Sequence, residues 1–218
     1  MEPDVRIEPG RGVYDTRRAS ALSGVPLRTL HYWAQNGIYL PTIDPEPRTR
    51  LWSWGDLLAV RAIHWFRHGG RDGHEARPVS MPKIRAMLRT IEEIGQSREL
   101  LHRLVAVSED GDLHLRLGDD QIMRADRTGQ LVMPDMVRLV TPYGSGPDLL
   151  YPRDHLRIIP GKLHGEPHVK DTRISTAVLF RLHEMGYLVG DILEMYPDVS
   201  PAALHDALDL ERPLQPAA

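Results

Sequence analysis

The 218-residue sequence predicts an α+β fold that is mainly helical, and three observations carry that expectation. Apolar residues recur at intervals of three and four from Val13 to about Gly95, the period of helices with one buried face. From about Leu104 to Val140 they alternate instead, as in Leu113, Leu115 and Leu117, with Asp110-Gly111 and Thr128-Gly129 as turns. Beyond Pro160 a glycine-rich loop leads into three short helical patterns. Three units follow: a helical head over residues 13–95, a small β-hairpin-rich connector over 96–150, and a C-terminal three-helix bundle over 151–212. Gly69 to Pro78 reads as a loop and Tyr143 to Asp148 as a linker.

Composition narrows the class. Hydrophobic residues make up 41% and charged residues 26%, which suits a folded globular chain. No apolar run reaches the roughly 18–20 residues of a membrane helix. The start, Met1-Glu-Pro-Asp, is too acidic for a secretory signal, and the absence of cysteine fits a cytoplasmic setting. It also removes disulfides, thiolate metal sites and a cysteine nucleophile. The net charge of −3 hides a strong asymmetry: residues 17–89 carry twelve basic and five acidic side chains, a balance of +7, while every other segment is acidic. Local positive charge is what phosphate backbones respond to.

In the head, Asp15 is placed to cap a first helix through Ala19 and Leu22, with Gly24 as the turn. A second helix starts at Pro26 and runs to about Asn36, with Gly37 as terminator. Leu27, Leu30, Trp33 and Ala34 share its inner face, leaving Arg28, Thr29, His31, Tyr32 and Gln35 to point elsewhere. Two short helices across a glycine turn, the second presenting arginine and hydrogen-bonding side chains, suit a major-groove reader. The proline-rich stretch Ile38 to Trp52 reads as a two-stranded wing whose Arg48 and Arg50 could meet phosphates or a minor groove. A third helix spans about Ser53 to His68, and a fourth runs from Ser80 through Ile84, Met87, Leu88 and Ile91.

These residues resemble the MerR superfamily of winged helix-turn-helix regulators. The matching run is Tyr14-Asp15, Leu22-Ser23-Gly24-Val25, Arg28-Thr29-Leu30-His31-Tyr32-Trp33, Asn36-Gly37, Arg50-Leu51-Trp52-Ser53, Asp56-Leu57 and Ile84-Arg85. The resemblance implies operator-DNA binding, with Arg28 and Thr29 facing bases and His31, Tyr32, Arg48 and Arg50 holding phosphates. Arg17, Arg18 and Gln35 complete the candidate set. The long dimerising coiled coil and the metal-binding cysteines of that superfamily have no counterpart here.

In the C-terminal part, Ser175 or Thr176 caps a helix with Val178, Leu179, Leu182 and Met185 on one face, ending at Gly186. A second short helix, Asp191 to Tyr196, stops at Pro197. Ser200 caps a third, with Pro201 in its first turn, burying Ala203, Leu204, Ala207 and Leu208; together the three suggest a homeodomain-like bundle. The run Gly165-Glu-Pro167, Thr172-Arg173-Ile174, Gly186, Tyr196-Pro197 and Ser200 to Leu208 resembles the VapB-type antitoxin domain over about residues 155–212. Asp171 stands where that pattern has glycine. The resemblance implies a toxin–antitoxin operon with a PIN-type ribonuclease toxin. Arg173, Arg181 and Arg212 are the cationic candidates for toxin binding, although Arg173 better suits bonding the carbonyls of its own turn, and Arg181 and Arg212 read more simply as surface residues.

Catalytic readings find little purchase. His164 and His168 flank Glu166 at a spacing of four, but in a glycine-proline loop and not on a helix. No phosphate-cradling loop or nucleophile elbow is present, and Asp119-Asp120 reads as a polar turn. The sequence therefore points to a non-enzymatic antitoxin without cofactor or metal, a homodimer that represses its own operon. The competing readings are a stand-alone regulator with a small-molecule sensor in the β region, and an interaction module that binds no DNA.

Overall fold

Asp15 accepts a hydrogen bond from the Arg18 amide at 2.8 Å and so opens the first helix, α1 (Thr16–Ser23), as its sequence position predicts. Gly24, at φ 74°, closes it. In the computed structural model the described residues are 11–48, 50–68, 77–101, 105–108, 111–116, 122–125, 131–132, 139–140 and 149–214. They form an α+β structure of helices and small antiparallel sheets.

α2 (Leu27–Gln35) starts one residue later than expected: Pro26 caps it from outside, its carbonyl accepting from the Thr29 amide at 2.8 Å. Its end follows the expectation, with Gly37 at φ 61° and the Ile38 amide reaching back to the Trp33 carbonyl at 2.8 Å. The wing is slighter than expected. Asp44 and Leu51 form a single bridge, while the strand β2 (Leu51–Trp52) pairs instead with β1 (Tyr14–Asp15) from the start of the chain. That pairing has no signal in local periodicity.

α3 (Trp54–His68) opens on a reciprocal cap: the Asp56 amide donates to Ser53 Oγ at 3.0 Å, and the Ser53 amide donates to Asp56 Oδ2 at 2.8 Å. Tyr39 and Thr42 also donate to the Asp56 carboxylate, tying the wing base to α3, and Glu99 joins through Ser53 and Thr42. Burial pushes the Asp56 carboxyl above its ordinary range, with Thr42, Ser53 and Tyr39 pulling the other way. Gly55 makes room for Glu99, whose Cβ lies 2.5 Å from where a side chain at 55 would begin. α4 (Met81–Glu93) follows with Ser80 before it and Gly95, at φ 72°, beyond it.

The middle of the chain forms the expected hairpins. β3 (Val105–Ser108), β4 (Leu113–Arg116), β5 (Ile122–Arg124), β6 (Leu131–Val132) and β7 (Leu139–Val140) make one antiparallel sheet in the order β6-β5-β4-β3-β7. Gly111 sits at φ 79° in the first turn; Asp110, the Thr128-Gly129 turn, the Asp119-Asp120 pair and the linker Tyr143–Asp148 lie outside the described residues. The sheet is more than a connector. Leu101, Val105, Val107, Leu115 and Met123 belong to the same buried cluster as Trp33, Trp52, Trp54, Phe66 and Ile84 of the head.

A second cluster fills the C-terminal module. β8 (Leu156–Arg157) pairs with β9 (His168–Val169), and α5 (Thr176–Glu184), α6 (Val189–Met195) and α7 (Pro201–Glu211) close over them. Ser175 and Ser200 cap α5 and α7 as expected. The inner face of α5 is a correction. Leu179 and Phe180 are buried, whereas Val178 and Met185, expected in the core, are 44% and 67% exposed.

Candidate nucleic-acid interface

The face of α2 opposite its buried Leu30, Trp33 and Ala34 presents Arg28, Tyr32 and Gln35 to solvent, with Thr29 and His31 half-buried beside them. Tyr32 is 55% exposed although it could have been packed, an outward aromatic on an otherwise polar face. Arg17 on α1 and Arg48 on the wing are also exposed. Arg50 is turned inward, and its Nη1 donates to His31 Nδ1 at 3.2 Å. A guanidinium has no acceptor, so His31 Nδ1 receives this bond unprotonated and the neutral ring carries its proton on Nε2. Arg50 therefore orients His31 and does not itself face solvent.

Arg18, expected among the DNA contacts, lies on the other side of α1 and belongs to a seam with the C-terminal module. Its two terminal nitrogens donate to the two Glu211 carboxylate oxygens at 2.8 Å each, and Nη2 also donates to Glu166 at 2.8 Å. Glu211 is fully buried and receives the Thr176 hydroxyl as well. A fork on a carboxylate is the strongest geometry an arginine can make, and neither charge could be left alone at this depth. Burial, the largest influence, works against the Arg18 charge, but the Glu211 hydrogen bonds and the Glu166 and Glu211 charges outweigh it and raise its pKa. Burial likewise pushes Glu166 up, with Arg18 pulling it back.

The seam continues at the chain start. Tyr14 Oη donates to the Gly165 carbonyl at 2.8 Å, and the Val13 amide donates to the His164 carbonyl at 2.9 Å. Burial, then the Glu166 charge, raise the Tyr14 pKa, so the phenol remains a donor. Leu163, His164 and Gly165 hold φ values of 51°, 54° and 85° in succession. A Cβ on Gly165 would stand 2.0 Å from Tyr14 Oη. Glycine is thus required twice at this position, by conformation and by space. Nothing in the sequence marks the seam except the unusual glycine-proline loop itself.

Of the three arginines considered for a protein partner, Arg173, Arg181 and Arg212 are all exposed, on a turn, on α5 and just beyond α7. The turn before α5 is closed by Thr172, whose hydroxyl donates to the Val169 carbonyl at 2.9 Å and accepts from the Ile174 amide at 3.1 Å. That is the part the sequence also allowed Arg173. Asp171, which stands where the resembling pattern has glycine, takes φ 61°, a left-handed conformation that glycine favours. His168, weighed as a metal ligand, is buried, and its Nδ1 donates to the Glu166 carbonyl at 3.0 Å. Burial lowers its pKa below the ordinary histidine value. Among the described residues no group of histidine and carboxylate side chains is arranged to hold a metal ion, and no helix is long and apolar enough to cross a membrane.

Comparison with known proteins adds two likenesses. A family described as a protein of unknown function (DUF433) matches residues 157–209, which spans the C-terminal module. The crystal structure of Rv2018 from Mycobacterium tuberculosis is similar at a TM-score of 0.51 and 19% identity, covering 90% of this chain and 97% of that one. At that identity the likeness is one of fold. No curated protein matches the sequence.

Proposed function

We propose that the chain is a two-headed regulator: a winged helix-turn-helix head that reads operator DNA, joined to an antitoxin module that binds and neutralises a PIN-type ribonuclease. On this reading residues 13–95 repress the chain's own operon as a homodimer on an inverted repeat. One observation carries the DNA half: the outward face of α2 bears Arg28, Tyr32 and Gln35 over a core of Leu30, Trp33 and Ala34, within the only segment of net positive charge. The Gly24 turn and the Gly37 stop set the bounds of that helix. The antitoxin half is supported by the VapB-like run from Gly165 to Leu208, whose later part forms three short helices.

The test is binding to DNA from upstream of the gene, followed across salt concentrations, together with co-expression of the adjacent reading frame. Affinity is expected to fall steeply with salt, and a flat dependence removes the DNA half. The adjacent product is expected to halt growth alone and to be silenced by this chain. Growth arrest that the chain does not relieve removes the antitoxin half and leaves the DNA half standing.

A further inference from the structure

We infer that the outward apolar face of α5, continued round the corner into α6, is a docking site for a basic amphipathic helix of a partner protein. The residues are Val178, Leu182, Met185, Tyr187, Leu188 and Val189. On α5 the spacing of 178, 182 and 185 makes one stripe, on the side away from buried Leu179 and Phe180. The stripe does not stop where the helix does. Gly186, at φ 92°, lets the Gly186 amide bond the His183 carbonyl at 3.0 Å and the Tyr187 amide bond the Leu182 carbonyl at 3.2 Å. That double closure brings Tyr187 back beside Leu182 and carries the apolar surface on to Leu188. Leu188 is 72% exposed, Met185 67% and Tyr187 43%, and residues 183–191 are exposed without interruption.

Isolated surface leucines need no explanation, but five exposed apolar side chains at one helix corner, beside half-buried Leu182, do. Charge decides what fits over them. The two helices that carry the face, residues 176–195, hold Glu184, Asp191 and Glu194 against Arg181, a local balance of −2, while Asp206, Asp209 and Glu211 of α7 are already engaged by His155, Arg153 and Arg18. Glu184, Asp191 and Glu194, all exposed, stand on the same two helices as the apolar residues. A second copy docking by two-fold symmetry would set this acidic rim against itself, which like-charge repulsion opposes. A helix with an apolar stripe between lysines or arginines satisfies both the face and its rim. A nuclease must itself be basic where it holds nucleic-acid phosphates, so the toxin of the proposed function would supply such a surface. Only the partner's identity rests on that function; the docking chemistry does not.

The full chain can be titrated with a lysine–leucine amphipathic peptide of about four helical turns, and with its glutamate–leucine counterpart of identical apolar face. The lysine peptide is expected to bind at least about tenfold more tightly. Met185→Asp with Leu188→Asp should abolish that binding, and because both side chains are exposed the helical circular dichroism should be kept. Glu184→Lys with Asp191→Lys and Glu194→Lys should reverse the preference between the peptides. Equal binding of both peptides, or binding that survives Leu188→Asp, overturns the proposal. So does a chain that sediments as a dimer and becomes monomeric on Leu188→Asp, since the occupant is then a second copy. Should the peptides behave as expected while the adjacent gene product ignores Leu188→Asp, the docking face stands and that product is not its occupant.

Discussion

The head and the C-terminal module use their surfaces in opposite ways. The head buries its described aromatic residues except Tyr32, with Trp52, Trp54, Tyr39 and Phe66 fully enclosed, and exposes Arg17, Arg28 and Arg48. The module closes a smaller core around Leu179, Ile192 and Leu204, and leaves methionine, tyrosine and leucine outside. One end offers cations to solvent; the other leaves apolar side chains exposed at a helix corner. The contrast teaches that the two ends present different chemistry to solvent, and the Arg18–Glu211 seam joins them.

Four measurements break or sharpen that contrast. The largest effect is expected from the seam. Arg18→Ala strands Glu211 in a buried site and should cost about 3–5 kcal/mol in urea unfolding; an unmoved midpoint would mean the two ends are not joined there. Gly165→Ala should cost about 2–3 kcal/mol, because a left-handed backbone and the Tyr14 hydroxyl both exclude the methyl group. A variant as stable as the parent would falsify the approach of β1 to that loop. Arg28→Ala, ten residues from Arg18, should move stability by less than about 0.5 kcal/mol. The same change should weaken operator binding by about 1–3 kcal/mol, and unaltered affinity would take Arg28 out of the interface.

The smallest effect belongs to His168. Its folded pKa is depressed by burial, so the unfolded chain takes up the proton more readily. Stability should therefore be lost as pH falls below histidine's ordinary value of about 6.5, and be regained above it. His168→Gln should flatten the melting temperature across that window; an unchanged slope would assign the dependence to other groups.

Much of the helical architecture could be read from sequence, because caps and stops act within four residues. Asp15, Gly24, Gly37, Ser175 and Ser200 all behave as their positions predict. What escaped reading was non-local or ambiguous. The pairing of Tyr14 with Trp52 and of Arg18 with Glu211 joins residues 38 and 193 positions apart, and no periodicity reports such contacts. On α5 two apolar stripes compete, Val178-Leu182-Met185 and Leu179-Phe180, and helical spacing cannot say which one the rest of the module will cover. Of the candidate DNA contacts, Arg17, Arg28, Tyr32, Gln35 and Arg48 lie on the exposed surface, while Arg18 and Arg50 turn inward to serve structure.

The seam also sets an order of events during synthesis. The first helix leaves the ribosome long before Glu211 is made, and a chain still missing its last helix holds Arg18 with no carboxylate to receive its fork. Contacts of such sequence separation form late in folding. A nascent chain that has not yet made α7 thus holds α1 without the Glu211 partner of Arg18.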